Sequence, residues 1–145
     1  MARVSTYLNF PGNTEEAFNF YEKIFNSKIS SPIVRFKDMP GGPPTAQGEE
    51  NCIIHIELPI IGGHVIMATD VLASSGQSVS IGTNTTINLE VDSKEEADKL
   101  YADLSEGGSS STGMQDMPWG YWGCTLDKFG IRWMFNVSNG EMQAS

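Results

Sequence analysis

Polar and apolar positions alternate along several short stretches of the chain, and twice the alternation gives way to helical spacing. Ser5–Phe10 is rich in strand formers and runs into Pro11-Gly12, which predicts a strand ending in a turn. Asn13-Thr14-Glu15-Glu16 follows, a cap residue with Glu three places on, so that each side chain can satisfy a backbone N–H at the helix start. Ala17, Phe18, Tyr21, Ile24 and Phe25 then make one apolar helix face. The phrase returns further on. Thr86–Val91 predicts a strand, Ser93-Lys94-Glu95-Glu96 a second capping box, and Ala97, Leu100, Tyr101 and Leu104 a second apolar face, stopped by Gly107-Gly108.

Glu15 and Glu95 are 95 − 15 = 80 positions apart, as are Asn13 and Ser93, whereas Leu8 and Leu89 are 81 apart. The first connection is therefore one residue longer. After each helix come further strand patterns: Ile29–Lys37, Asn51–Leu58 and Gly62–Asp70 in the first half, and about Ser109–Met114, Tyr121–Leu126 and Phe129–Val137 in the second. Each half reads strand–helix–strand–strand–strand. One such unit leaves a sheet face uncovered, which explains the duplication. The fold class predicted is α+β: two βαβββ modules forming an incomplete curved sheet around a concave pocket, with the helices on the outer face. Together they form a single domain over 1–145, with module one at about 1–70, a polar connection at 71–82 and module two at 83–138. The Pro/Gly-rich stretch Asp38–Asn51 suits either a binding loop or a disordered one.

Composition narrows the partners. The 145 residues carry 18 acidic and 9 basic side chains, a formal charge of −9. Nucleic acids and anionic membranes both require clustered Lys and Arg, so neither is expected as a partner. No apolar run approaches the roughly 20 residues of a membrane span, and the first residues lack an apolar signal core. The expected location is cytoplasmic. Cys52 and Cys124 match no zinc spacing and are read as buried free thiols in apolar strands.

Three stretches carry a resemblance: YLNFPGNTEEAFNFYEKIF from Tyr7, VIMATD at Val65–Asp70, and WGYWGCTLDKFGIRWMFNV from Trp119, with its Asp-x-Phe-Gly-x-x-Trp pattern. With them the chain resembles the vicinal oxygen chelate superfamily, which includes glyoxalase I and the extradiol dioxygenases. Within it the chain is most similar to the PhnB-like branch, also labelled 3-demethylubiquinone-9 3-methyltransferase-like. The resemblance covers nearly the whole chain and implies the two-module architecture and a homodimer. Methyl transfer is discounted, because no glycine-rich loop lies between a strand and a helix to hold S-adenosylmethionine, and PGGPP leads into no helical pattern. Metalloenzymes of the superfamily bind a divalent ion with His and Glu from four strands. Their positions carry over here to Ser5, Met67, Thr86 and Met134, none a usual ligand for such an ion. No metal and no other cofactor is expected.

The remaining candidates lie on strand faces. His55 and Glu57 alternate with Ile54, Ile56 and Leu58, so they are expected on the concave side, as an acid–base pair or as an ordinary polar face. With Glu90 they are the candidate catalytic groups. Tyr7, Asn9 and Asn88 line the same side, Met67 and Met134 stand at its centre, and Arg132 suits a carboxylate or phosphate, or else an ion pair at the rim. Trp119, Tyr121 and Trp122 offer flat walls, or packing in a core or dimer interface. His64, after Gly62-Gly63, is read as a hairpin end. These readings favour a small-molecule ligand bound without metal. The alternatives are a lyase, isomerase or dioxygenase, with or without a metal, and a homodimeric scaffold with a filled pocket.

Overall fold

A computed structural model describes residues 2–39 and 46–138, which divide between two compact units, residues 1–80 and 81–145. The first contains β1 (Thr6–Phe10), α1 (Thr14–Phe25), β2 (Val34–Arg35), β3 (Ile53–Pro59) and β4 (Val65–Asp70). The second contains β5 (Ile87–Glu90), α2 (Lys94–Ser105), β6 (Ser109–Met117), β7 (Gly120–Leu126) and β8 (Arg132–Ser138). The sheet orders are β1-β4-β3-β2 and β5-β8-β7-β6, one topology written twice. In each sheet the first strand runs parallel to the last and the other neighbours are antiparallel. The α+β reading with two βαβββ modules is what the structure shows.

The equivalence reaches single residues. Leu8 pairs with Ala68 and Leu89 with Phe135, and both leucines are buried. The hairpins match as well: Ile60 N–H donates to the His64 carbonyl at 2.7 Å, and Asp127 N–H to the Ile131 carbonyl at 2.9 Å. His64 thus sits at a hairpin end, as expected.

Each helix covers one face of its own sheet. Ala17, Phe18 and Tyr21 of α1 are fully buried, as are Phe10, Ile56, Leu58, Ile66 and Ala68 of the strands. Phe18 meets Phe10 and Tyr21 edge to face, with centroids 6.4 and 5.9 Å away. In the second unit Ala97, Leu100 and Leu104 of α2 are buried, together with Trp133 and Phe135 of β8. Burying each large side chain contributes about 1.5–3 kcal/mol, and this anchors the helices more firmly than their intrinsic propensity does.

The helix starts differ from one another, and one differs from expectation. Ser93 accepts a hydrogen bond from Glu96 N–H at 3.1 Å, as its sequence predicts. Asn13 makes no such bond, and its Oδ1 is buried without a partner. The start of α1 is held instead by Asp70, at the far end of β4. Its Oδ1 accepts from Thr14 N–H at 3.0 Å and from the Thr14 hydroxyl at 2.6 Å. Asn13→Ala is therefore expected to change stability by less than about 0.5 kcal/mol, and Ser93→Ala to cost about 1 kcal/mol. Urea unfolding of the two variants side by side checks this. Equal losses would contradict it.

Three further expectations need correction. The strand foreseen over Ile29–Lys37 is only Val34–Arg35, because Pro32 has no N–H to give and the register shifts between Val34 and Arg35. The β6 strand runs beyond Met114 to Met117. Cys52 lies in a bend before β3 and is only half-buried, whereas Cys124 is buried in β7. Part of the Asp38–Asn51 stretch, residues 40–45, lies outside the described residues. Asp38 closes a short 3-10 turn, and Glu49 ties the far end to the connection by accepting from Ser74 N–H at 3.3 Å.

Candidate functional site

Because side chains alternate along a strand, the sheet face turned away from each helix carries every second residue. On the first sheet Tyr7, Met67 and Glu57 form one row across β1, β4 and β3. Ser5 precedes Tyr7 on that face, and its hydroxyl donates weakly to the Met67 sulfur at 3.8 Å. His55, two residues from Glu57, lies between two partners. Its Nε2 is 2.8 Å from Glu57 Oε2, and its Nδ1 is 3.2 Å from Tyr7 Oη. Tyr7 Oη also reaches the Ile54 carbonyl at 3.4 Å. Burial, and secondarily the Glu57 charge, push the Tyr7 phenol above its ordinary range. Nothing in the spacing of the chain reveals this contact, since Tyr7 and His55 are 48 positions apart. Asn9 follows on β1 and lines a shallow groove with Val71 and residues 77–80.

The second sheet repeats the pattern with other chemistry. Asn88, Met134 and Cys124 form the row equivalent to Tyr7, Met67 and Glu57. One row along, Glu90, Asn136 and Trp122 stand in register, and Asn136 Nδ2 donates to Asn88 Oδ1 at 2.6 Å. At the other end Arg132 Nε donates to the Thr86 hydroxyl at 3.3 Å. Arg132 is half-buried and forms no ion pair with any described residue. Burial pushes the Cys124 thiol up, and the Arg132 charge offsets only part of that rise.

Trp119 is 39% exposed and packs edge to face on Trp122, with centroids 6.5 Å apart. It borders a groove of about 370 Å³ that Glu90, Asp92 and Asn136 also line. Tyr121 points the other way, to α2, and so cannot act as a wall beside the two tryptophans. Its hydroxyl donates to Asp98 Oδ1 at 2.6 Å, and Lys94 Nζ lies 5.1 Å from the ring centroid. The Asp98 carboxylate holds the phenol proton and pushes the Tyr121 pKa up to about 12. The contribution of this bond to stability is present below the ordinary phenol pKa of about 10 and is lost as pH rises through the folded value. In a pH-jump titration of tyrosinate absorbance, Tyr121→Phe is expected to remove a component with a midpoint near 12. An unchanged late component would assign it elsewhere.

The positions implied for a metal do not fit one. Ser5 and Met67 are bonded to each other, Thr86 already faces a guanidinium that repels a cation, and Met134 offers a thioether. No group of three or more His, Cys, Asp or Glu among the described residues is placed to hold an ion.

The paired βαβββ units define the class: this is a glyoxalase-like fold. A glyoxylase/bleomycin resistance protein/dioxygenase domain from Frankia sp. EAN1pec shares it at TM-score 0.66 and 18% identity, covering 97% of this chain and 95% of that one. Within the class the chain belongs to the family described as 3-demethylubiquinone-9 3-methyltransferase, whose model matches residues 2–135. Among solved structures it is similar to protein PA1353 from Pseudomonas aeruginosa, with 29% identity, TM-score 0.80 and coverage of 95% of this chain and 98% of that one. It is also similar to a putative 3-demethylubiquinone-9 3-methyltransferase, PhnB protein, from Bacillus cereus, with 24% identity, TM-score 0.76 and coverage of 94% and 100%.

Proposed function

We propose that the chain binds a small organic anion, without a metal, against the open face of its second sheet. Arg132 carries this reading. In a protein of formal charge −9 it is a half-buried cation whose Nη groups have no partner among the described residues, with only Nε engaged, by Thr86. A guanidinium with a free fork matches a carboxylate or phosphate by two parallel hydrogen bonds. Four residues along β8 is about 13 Å of strand, the length of a modest aromatic acid. Over that span the face offers the Met134 thioether, the Asn88 and Asn136 amides and the Trp122 ring. Adaptable sulfur and a flat ring suit an apolar or aromatic body. The connections that precede the helices, Pro11-Gly12-Asn13 and Val91-Asp92-Ser93, lack a glycine-rich cradle for a nucleotide-bearing methyl donor.

A thermal-shift screen of aromatic carboxylates, each beside its uncharged amide, tests the proposal. An acid at 100 times its dissociation constant is expected to stabilise the protein by about 2.7 kcal/mol, and its amide by much less. Arg132→Ala should weaken the acid about 10- to 100-fold and leave amide binding unchanged. Acids and amides that bind equally well, or acids indifferent to Arg132→Ala, would overturn it.

A further inference from the structure

The first sheet presents an arrangement that ligand binding does not use. Glu57 sits 2.8 Å from one nitrogen of His55 and Tyr7 3.2 Å from the other. A carboxylate beside Nε2 keeps the N–H on that nitrogen, which leaves the lone pair of Nδ1 aimed at the phenol. The order is hydroxyl, imidazole, carboxylate, the sequence of groups that activates a nucleophile in acyl transfer. The geometry points to Tyr7 as a nucleophile toward activated carboxylic esters, with His55 as its general base and Glu57 as the positioning residue that fixes the imidazole.

Each part has an observed basis. Tyr7 is 47% exposed, so its side chain is open to an acyl donor from solvent. Its pKa is raised by burial and by Glu57, so no phenolate forms ahead of time. The proton must leave as the new bond forms, and the ring nitrogen within reach of Oη is His55 Nδ1. The Ile54 carbonyl, at 3.4 Å, competes for the same proton but cannot keep it. In the first step Oη bonds to the acyl carbon while its proton passes to Nδ1. Collapse of the tetrahedral adduct expels the alcohol or phenol, which takes that proton back. In the second step water gives a proton to Nδ1 and its oxygen to the acyl carbon. The carboxylic acid is released, and Tyr7 recovers its proton. The imidazolium present between transfers is balanced by the Glu57 carboxylate, and the only co-reactant is water.

The probe is 4-nitrophenyl acetate with the full chain, followed by nitrophenolate release, intact mass and peptide mapping. A burst of nitrophenolate with acetyl on Tyr7 is expected, and Tyr7→Phe should abolish both. His55→Gln should slow acetylation of Tyr7 by about 100-fold or more while the melting temperature stays near that of the native chain. If that variant does not fold, His55→Asn serves the same purpose. Glu57→Gln should slow acetylation less. It should also turn the single Nε2–H tautomer of His55, read by 15N NMR, into a mixture, which loss of packing alone would not do. Acetyl found only on lysines, cysteines or the amino terminus would overturn the assignment. So would acetylation of Tyr7 at an unchanged rate in both His55 variants.

Discussion

Asp127→Ala is expected to lower the free energy of unfolding by about 4 kcal/mol, because it strands three donors at once. Asp127 is 2% exposed. Its Oδ1 accepts from Phe129 N–H at 2.8 Å and Ile131 N–H at 3.0 Å, and its Oδ2 from the Trp133 indole N–H at 2.8 Å. Trp133 is fully buried, so its N–H has no access to water once the carboxylate is gone. The buried indole N–H left without a partner costs about 1–3 kcal/mol, and the two part-buried backbone N–H groups cost less each, because water can reach them. Asp127→Asn should cost about half as much. Its oxygen can still serve the two backbone groups, but its NH2 must then face the indole N–H. Trp133→Phe combined with Asp127→Asn should accordingly add less to the loss than Trp133→Phe causes alone. Urea titrations of the four proteins check the cycle. A loss of under about 1 kcal/mol for Asp127→Ala would mean that the turn holds without its carboxylate. The same turn needs Gly130, whose φ of +89° lies in the left-handed region that favours glycine. This accounts physically for the Asp-x-Phe-Gly-x-x-Trp pattern: it is the clasp of a hairpin.

Asp70→Ala should cost a similar amount, about 4 kcal/mol, by the same accounting. Asp70 is 5% exposed and takes three hydrogen bonds, two from Thr14 and one from Ile53 N–H at 2.8 Å. It joins the start of α1 to the start of β3, and its negative charge lies where the helix dipole is positive. Hydrogen exchange should show the first turn of α1 and the Ile53 amide opening together in the variant. Thr14→Ser keeps both donors and should stay close to the native stability. An Asp70→Ala protein as stable as the native chain would leave the start of α1 held by packing alone.

The halves differ instructively here. By strand register Asp70 corresponds to Val137, and the second helix is capped by its own neighbour Ser93. A local cap is legible because the two groups are three residues apart and the geometry is that of the helix itself. The Asp70 cap joins residues 56 positions apart, and Asn13 looks the better candidate until the strand ends are placed. The hairpin clasp shows the same limit. Its residues stand out in the resemblance, but the bond from Trp133 to Asp127 exists only once β7 and β8 are paired.

Spacing and residue type along the chain specify the repeated strand–helix–strand–strand–strand order, the approximate place of each element, the buried helix faces and the lack of metal donors at Ser5, Met67, Thr86 and Met134. All of these depend on spacing within a few residues, or on residue type. The rest follows from strand pairing: that Tyr7 reaches His55, that Arg132 faces Thr86 rather than a carboxylate, that Tyr121 turns to α2, and that Asp70 caps α1. Each of these contacts spans 23 to 56 positions and is set by which strands pair and in what register. A one-residue slip in that register would turn every such side chain to the other face, and no local pattern encodes it.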